Sequence, residues 1–195
     1  MRSSRFSDGR FIVMFHGNIS PDRCIDTLIR TLTVNPYILL VVLGNPQLPE
    51  HLSSLVELAE ELKVSDRVIF HPAVPNRELW KYVGAADVGT VVHSDLSLNS
   101  RYSLPNKFFE NVQSLTPLIV SDLPELGRTV RKYGVGLTYK PGDVDSLNQQ
   151  IEELRNNDEL YSQIRENLVK AKAELCWEKE REPLVAAYRE LLHSL

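Results

Sequence analysis

The sequence predicts an α/β domain in three layers, α/β/α, built on a six-stranded parallel sheet and followed by C-terminal helices. Three observations predict it. Short apolar runs rich in β-branched residues alternate with longer stretches that repeat apolar residues at helical spacing, the pattern of strand–helix–strand units. The strand runs lack strict polar/apolar alternation, as strands covered on both faces do. The chain of 195 residues has room for one core, because single cores grow to roughly 250 residues before they split.

The predicted strands are Phe11 to Gly17, Tyr37 to Gly44, Arg67 to Val74, Asp87 to His93, Thr116 to Asp122 and Val135 to Lys140. Helices are expected between them at Pro21 to Leu32, Leu48 to Lys63, Asn76 to Ala86, Leu104 to Leu115 and Leu123 to Gly134. Several of these open with Pro in or near the first turn, where its missing N–H costs nothing. Three amphipathic helices without an intervening strand close the chain: Asp143 to Asn157, Asp158 to Leu175 and Glu180 to Leu195. A single domain over residues 1–195 is expected, with a core at about 10–174 and a terminal helix over 175–195. That helix carries Leu184, Val185, Tyr188, Leu191 and Leu192 on one apolar stripe, which needs a partner. Either it is the last core helix, or it lies loosely on the sheet or pairs with another copy in a homo-oligomer.

Composition narrows the partners. The net charge of −4 argues against nucleic acid, whose binding normally needs a concentrated Lys/Arg surface. Cys24 and Cys176 have no CxxC spacing, so both are expected to be reduced and buried. The opening MRSSRFSDGR is polar and basic, unlike a signal peptide, and no long apolar run is present. A cytoplasmic location and no transmembrane segment are expected. The single Asp-x-Asp, Asp143 to Asp145, opens the first of the closing helices and lies outside the loops inspected below for a ligand, so no cofactor and no metal are expected.

A doubly wound, Rossmann-like sheet binds ligands at the carboxyl ends of its strands, where strand order reverses. The loops to inspect are therefore Gly17 to Arg23, Gly44 to Pro49, His71 to Arg77, His93 to Lys107 and Ser121 to Glu125. The most informative is the polar loop that meets Leu104-Pro105 at a helix start, with Pro105 fitting a first helical position. Backbone N–H groups around Leu104 to Lys107 offer a phosphate site, with Lys107 adding charge. Glu110 would sit just beyond, where a carboxylate accepts hydrogen bonds from both ribose hydroxyls. The alternative is that Lys107 and Glu110 form an exposed ion pair on one helix. His16 and His93, at strand ends, are either ligand contacts or structural hydrogen-bonders. Asp87 reads as structural, and Asp122 as either a helix cap or, with Glu125, a sugar contact.

The segment LPNKFFE followed by TPLIVSD resembles the LPNKxFEYxxxGxPVIxS stretch of retaining glycosyltransferases of the GT-B fold, in their C-terminal, donor-binding domain. FHGNISPDRCIDTLI and VIFHPAVPNRELWKYVGAADVGTVVH are similar to two further stretches of that family, in the same order. Trp177-Glu178 before the last helix also fits. The resemblance covers Phe11 to about Tyr188.

It implies a domain that binds a nucleoside-diphosphate sugar, in an enzyme that transfers the sugar to an acceptor hydroxyl in glycan or polysaccharide synthesis. Arg23 would neutralise the leaving diphosphate and Lys107 would be a weaker second cation. Gly17 and Asn18 would admit the donor, and His71 to Val74 would cover the base. Leu104, Pro105 and Asn106 would present the phosphate site, and Glu110 would hold the ribose. Most of the family has another glutamate eight positions before the ribose-binding one, where this chain has Tyr102. That puts the sugar contacts in doubt, with Asn99, Ser100 and Ser103 as substitutes. The resemblance also implies an N-terminal acceptor-binding domain or subunit, without which this half would bind nucleotide and catalyse little. The other reading is a nucleotide-binding or scaffold module without transferase activity.

Overall fold

A computed structural model describes residues 9–193. Six strands, β1 (Phe11–His16), β2 (Ile38–Leu43), β3 (Val68–His71), β4 (Val88–Val91), β5 (Leu118–Ser121) and β6 (Gly136–Tyr139), form one sheet in the order β3-β2-β1-β4-β5-β6. Every pair is parallel. The strands sit where the apolar runs predict them, one to three residues shorter at the ends. The residues trimmed from the carboxyl ends fall in the loops that carry the ligand-facing groups.

Strand β1 shows why the alternation is absent. Phe11, Val13 and Phe15 enter one core cluster, while Ile12 and Met14 enter a second cluster with Val83 and Ala86 on the opposite side. Successive side chains point to opposite faces, so a strand covered by helices on both sides must be apolar at every position. All six residues of β1 are buried.

The connecting helices are α1 (Ile25–Val34), α2 (Pro49–Glu61), α3 (Asn76–Val83), α4 (Leu98–Tyr102), α5 (Asn106–Gln113) and α6 (Pro124–Tyr133), followed by α7 (Val144–Asn156), α8 (Asp158–Glu174) and α9 (Trp177–His193). Four expectations change. The segment predicted as one helix from Pro21 is a 3-10 turn, Pro21–Arg23, then Cys24 at φ 45°, then α1, so the chain breaks direction at the loop that holds Arg23. Pro105 is the extended N-cap of α5, with φ −73° and ψ 152°, and the helix begins at Asn106. The polar loop after β4 contains the short helix α4, capped by Ser97, whose hydroxyl accepts from the Ser100 N–H at 3.0 Å. Asp122 does not cap α6: the cap position is Leu123, and Asp122 pairs with Arg131 at 2.6 Å.

Asp87 is structural as read, its carboxylate accepting from the Ile12 N–H at 2.7 Å. Cys24 and Cys176 are free but only half-buried, not buried as expected. Each lies at the edge of an element rather than inside one. The terminal helix is not a core helix. Every residue from Trp177 to Leu192 is exposed, with Tyr188, Leu191 and Leu192 each more than 60% accessible. No helix among the described residues is long and apolar enough to cross a membrane. The opening residues 1–8 and Ser194 and Leu195, read above as a polar leader-free start and as the end of the last helix, lie outside the described residues.

Candidate functional site

Strand order reverses between β1 and β4, whose carboxyl ends therefore feed loops that diverge and leave a crevice. The loops after β1, β2 and β3 are laced together along one side of it. Gly17 donates to the Leu43 carbonyl, Gly44 to the His71 carbonyl and Ile19 to the Asn45 carbonyl, at 2.9, 2.9 and 3.0 Å. Asn45 also accepts from the Ala73 N–H at 3.1 Å. Gly44 is required here, because a Cβ at that position would overlap the Gly17 carbonyl oxygen. Gly17 has φ 109°, a conformation that side chains rarely adopt.

These loops wall a cleft of about 330 Å³ lined by His16, Gly17, Asn18, Val74 and Glu110, together with Leu43, Gly44, Asn45, Ala73, Asn76 and Leu79. The sequence reading named the first five. It missed Asn45 and Asn76, because an isolated Asn in a loop reads as turn chemistry. The carboxylate of Glu110 faces the cleft and pairs with His16, Nε2 to Oε2 at 2.9 Å. His16 is 1% exposed and the Glu110 side chain 34%.

A basic cluster lies on the other side of Gly17. Lys107 does not pair with Glu110 and is not exposed; the ion-pair alternative is overturned. Its side chain is buried, with Nζ 4.0 Å above the centre of the Phe15 ring and no hydrogen-bond partner. Its Cε lies 3.4 Å from where a Gly17 Cβ would be. Burial and the nearby Arg23 charge push the Lys107 ammonium down to about 7. Arg23 holds Nη1 at 2.9 and 2.8 Å from the two ring nitrogens of His93. Burial, reinforced by the Arg23 and Lys107 charges, lowers His93 to about 3, so the ring is neutral. His93 is fixed from behind through its backbone N–H, which donates to the Ser121 hydroxyl oxygen at 2.9 Å. Asp22 is the counter-charge, 3.5 Å from the Arg23 Nε. Against its burial, the Ser20 hydroxyl and Arg23 hold its carboxyl below the usual range. Two basic side chains with one carboxylate beside them, one of the two a buried amine without a hydrogen-bond partner, form a site suited to an anion.

Helix α5 points its N-terminus at the same region. The N–H groups of Asn106 and Lys107 belong to the first turn, which has no intrahelical acceptors to offer them. The remaining predicted residues are dispersed. His71 is turned toward Tyr82, ring centres 5.5 Å apart, with Nδ1 2.7 Å from the Pro72 carbonyl. Leu104 and Pro105 are half-buried. Asn106 lines a separate cavity between α5 and the start of α9, with Phe109, Gln113, Leu175 and Trp177. Tyr102 is 61% exposed on α4, and Ser100 is turned inward on Ser97. Asp122 and Glu125 are engaged by Arg131 and Arg128. Among the described residues no three His, Cys, Asp or Glu side chains converge as a metal site.

The family described as glycosyl transferases, group 1, matches residues 1–171. The chain belongs to this family. Among curated relatives of the group 1 glycosyl transferases it is 32% identical to a D-inositol 3-phosphate glycosyltransferase of Nocardia farcinica, over 68% of this chain and 30% of that protein. Among solved structures it resembles sucrose-phosphate synthase from Thermosynechococcus elongatus, with TM-score 0.77 and 25% identity over 95% of this chain and 46% of that one. It shares the fold of Anabaena HepE in complex with UDP, with TM-score 0.78 and 16% identity over 96% of this chain and 50% of that one. The chain thus spans under a third of the curated relative and about half of each solved chain. In this group 1 glycosyl transferase domain the cleft and the basic cluster share one boundary, Gly17.

Proposed function

We propose that this chain is the donor-binding half of a glycosyltransferase and holds a nucleoside-diphosphate sugar across Gly17. The observation that carries the reading is the juxtaposition, across one glycine, of a carboxylate on a cleft and an anion-seeking basic cluster. The diphosphate is met by Arg23, Lys107 and the first turn of α5. The nucleoside enters the cleft, with Glu110 accepting from the ribose hydroxyls and the loop from Ala73 to Asn76 beside the base. The HepE complex contains UDP, which makes UDP the first ligand to try.

In the transfer reaction the bond between the anomeric carbon and the diphosphate oxygen breaks, a bond from that carbon to the acceptor hydroxyl oxygen forms, and the hydroxyl proton leaves with the diphosphate. The leaving group is a nucleoside diphosphate, so the chemical demand is negative charge on its oxygens. Arg23 and Lys107 are preorganised for that charge, and in this reading no divalent ion takes part. One well-aimed donor of this kind is worth about 3 to 4 kcal/mol in the transition state. The acceptor would come from a second domain or subunit, which is also the partner we assign to the exposed stripe of α9. A location in the cytoplasm, where such donors are made, accords with this reading.

The test is a thermal-shift panel of nucleoside diphosphates and their sugar conjugates, with and without a chelator. A ligand at 100 times its Kd stabilises the native state by about 2.7 kcal/mol, and the chelator should not reduce the shift. Glu110→Ala should weaken nucleotide binding by about 1 to 3 kcal/mol. No shift with any nucleoside diphosphate would refute the proposal. Binding without sugar transfer, once an acceptor half is supplied, would favour the non-catalytic module.

A further inference from the structure

A glutamate on the surface of a helix has several rotamers open to it, and a site that reads two hydroxyls at once needs one of them. Glu110 is held by a single described partner, His16, although the two stand 94 positions apart in the chain. His16 is the last residue of β1 and its side chain is enclosed, at 1% exposure, whereas the carboxylate it touches remains open to the cleft. Its Nδ1 is also buried and has no protein partner. Buried polar atoms are bonded in the great majority of cases, and for this ring the contact with Glu110 is the one described hydrogen bond.

We propose that His16 is a positioning residue: it donates from Nε2 to Glu110, locks the carboxylate for the two ribose hydroxyls, and thereby sets a preference for ribonucleotides over deoxyribonucleotides. The inference rests on the proposal that Glu110 reads the ribose. The direction of the hydrogen bond follows from the partner, since an ionised carboxylate only accepts. The ring itself cannot swing away, being enclosed at the end of a fully buried strand, so the order of the sheet is passed to a side chain on a helix. Support of this kind is what keeps a recognition group in its binding geometry before the ligand arrives.

The test measures Kd for UDP and for 2′-deoxy-UDP, or for the same pair of whichever base the panel selects. In the parent protein UDP should bind about tenfold more tightly, the effect of one hydrogen bond to a charged group. In His16→Phe, which fills the space without a donor, the ratio should fall below about threefold. His16→Gln should restore it, because the Gln amide nitrogen stands as many bonds from the backbone as the His Nε2. Equal weakening of both nucleotides by His16→Phe, with the ratio intact, would mean a structural role and overturn the inference. If Glu110→Ala leaves the ratio unchanged, the ribose assignment itself fails, and the inference with it. A ratio abolished by Glu110→Ala but intact in His16→Phe sinks the inference alone. Should His16→Phe fail to fold, the ¹⁵N imidazole spectrum of the parent decides: the proton must be on Nε2, and a bare Nε2 overturns the inference.

Discussion

Lys107 illustrates how far one residue can depart from its sequence context. On spacing it is an ordinary helical lysine three residues before a glutamate; in the fold its ammonium is enclosed above Phe15 with no hydrogen-bond partner. Because its folded pKa is lowered to about 7 from 10.5, the unfolded chain binds more protons between those values. Stability therefore rises with pH across that window, and the contribution is constant above 10.5. We expect the melting temperature of the ligand-free protein to gain more between pH 7 and pH 10 than that of Lys107→Met. Parallel curves for the two would contradict the assignment. A bound diphosphate favours the protonated form, so affinity should fall as pH rises above about 7, with proton uptake visible by calorimetry in buffers of different ionisation enthalpy. His93 has the same sign in another window: lowered to about 3 from 6.5, it costs stability as pH falls through that range, and His93→Gln should lessen the acid sensitivity.

At the scale of elements, the cleft depends on how closely backbones approach at the strand ends. Gly44 lets the β2 loop lie on the Gly17 carbonyl, and Gly89 in β4 leaves room for the Asn111 side chain of α5, whose Nδ2 donates to the Lys107 carbonyl at 2.6 Å. A methyl group at Gly44 cannot be absorbed by a side-chain rotation, because the atom it meets is backbone. Gly44→Ala should cost about 1 to 3 kcal/mol, as overpacking does, and should lower the urea midpoint with little change in slope. Gly89→Ala should displace Asn111 and with it α5, weakening nucleotide binding more than stability alone predicts. An unchanged Kd in a folded Gly89→Ala protein would show that α5 is not the seat of the ligand. In the sequence Gly44 shows only as the end of an apolar run and Gly89 only as a member of one. Which atom each glycine makes room for belongs to a neighbouring element remote in the chain.

For the molecule as a whole, α9 is the part that does not belong to the core. Its exposed face predicts that removing residues 182–195 lowers the melting temperature by only a few degrees, since most surface changes cost little. Loss of most of the stability would show that the stripe packs on its own sheet. The six strands, their parallel direction, their burial on both faces and five residues of the cleft were legible in the sequence; the order of the strands in the sheet was not. So was the family, because LPNK and its flanking stretches are contiguous, and a contiguous motif keeps its spacing however the chain folds. Three features were decided only in three dimensions. His16 meets Glu110, Arg23 meets His93 and Lys107 enters the core because β1, β4 and α5 converge at the point where strand order reverses. Each pair joins residues that local periodicity cannot relate. Hydrophobic patterning acts over a few residues and sets the elements; long-range contacts, and the desolvation that moves a lysine or a histidine from its ordinary charge state, exist only once those elements have packed.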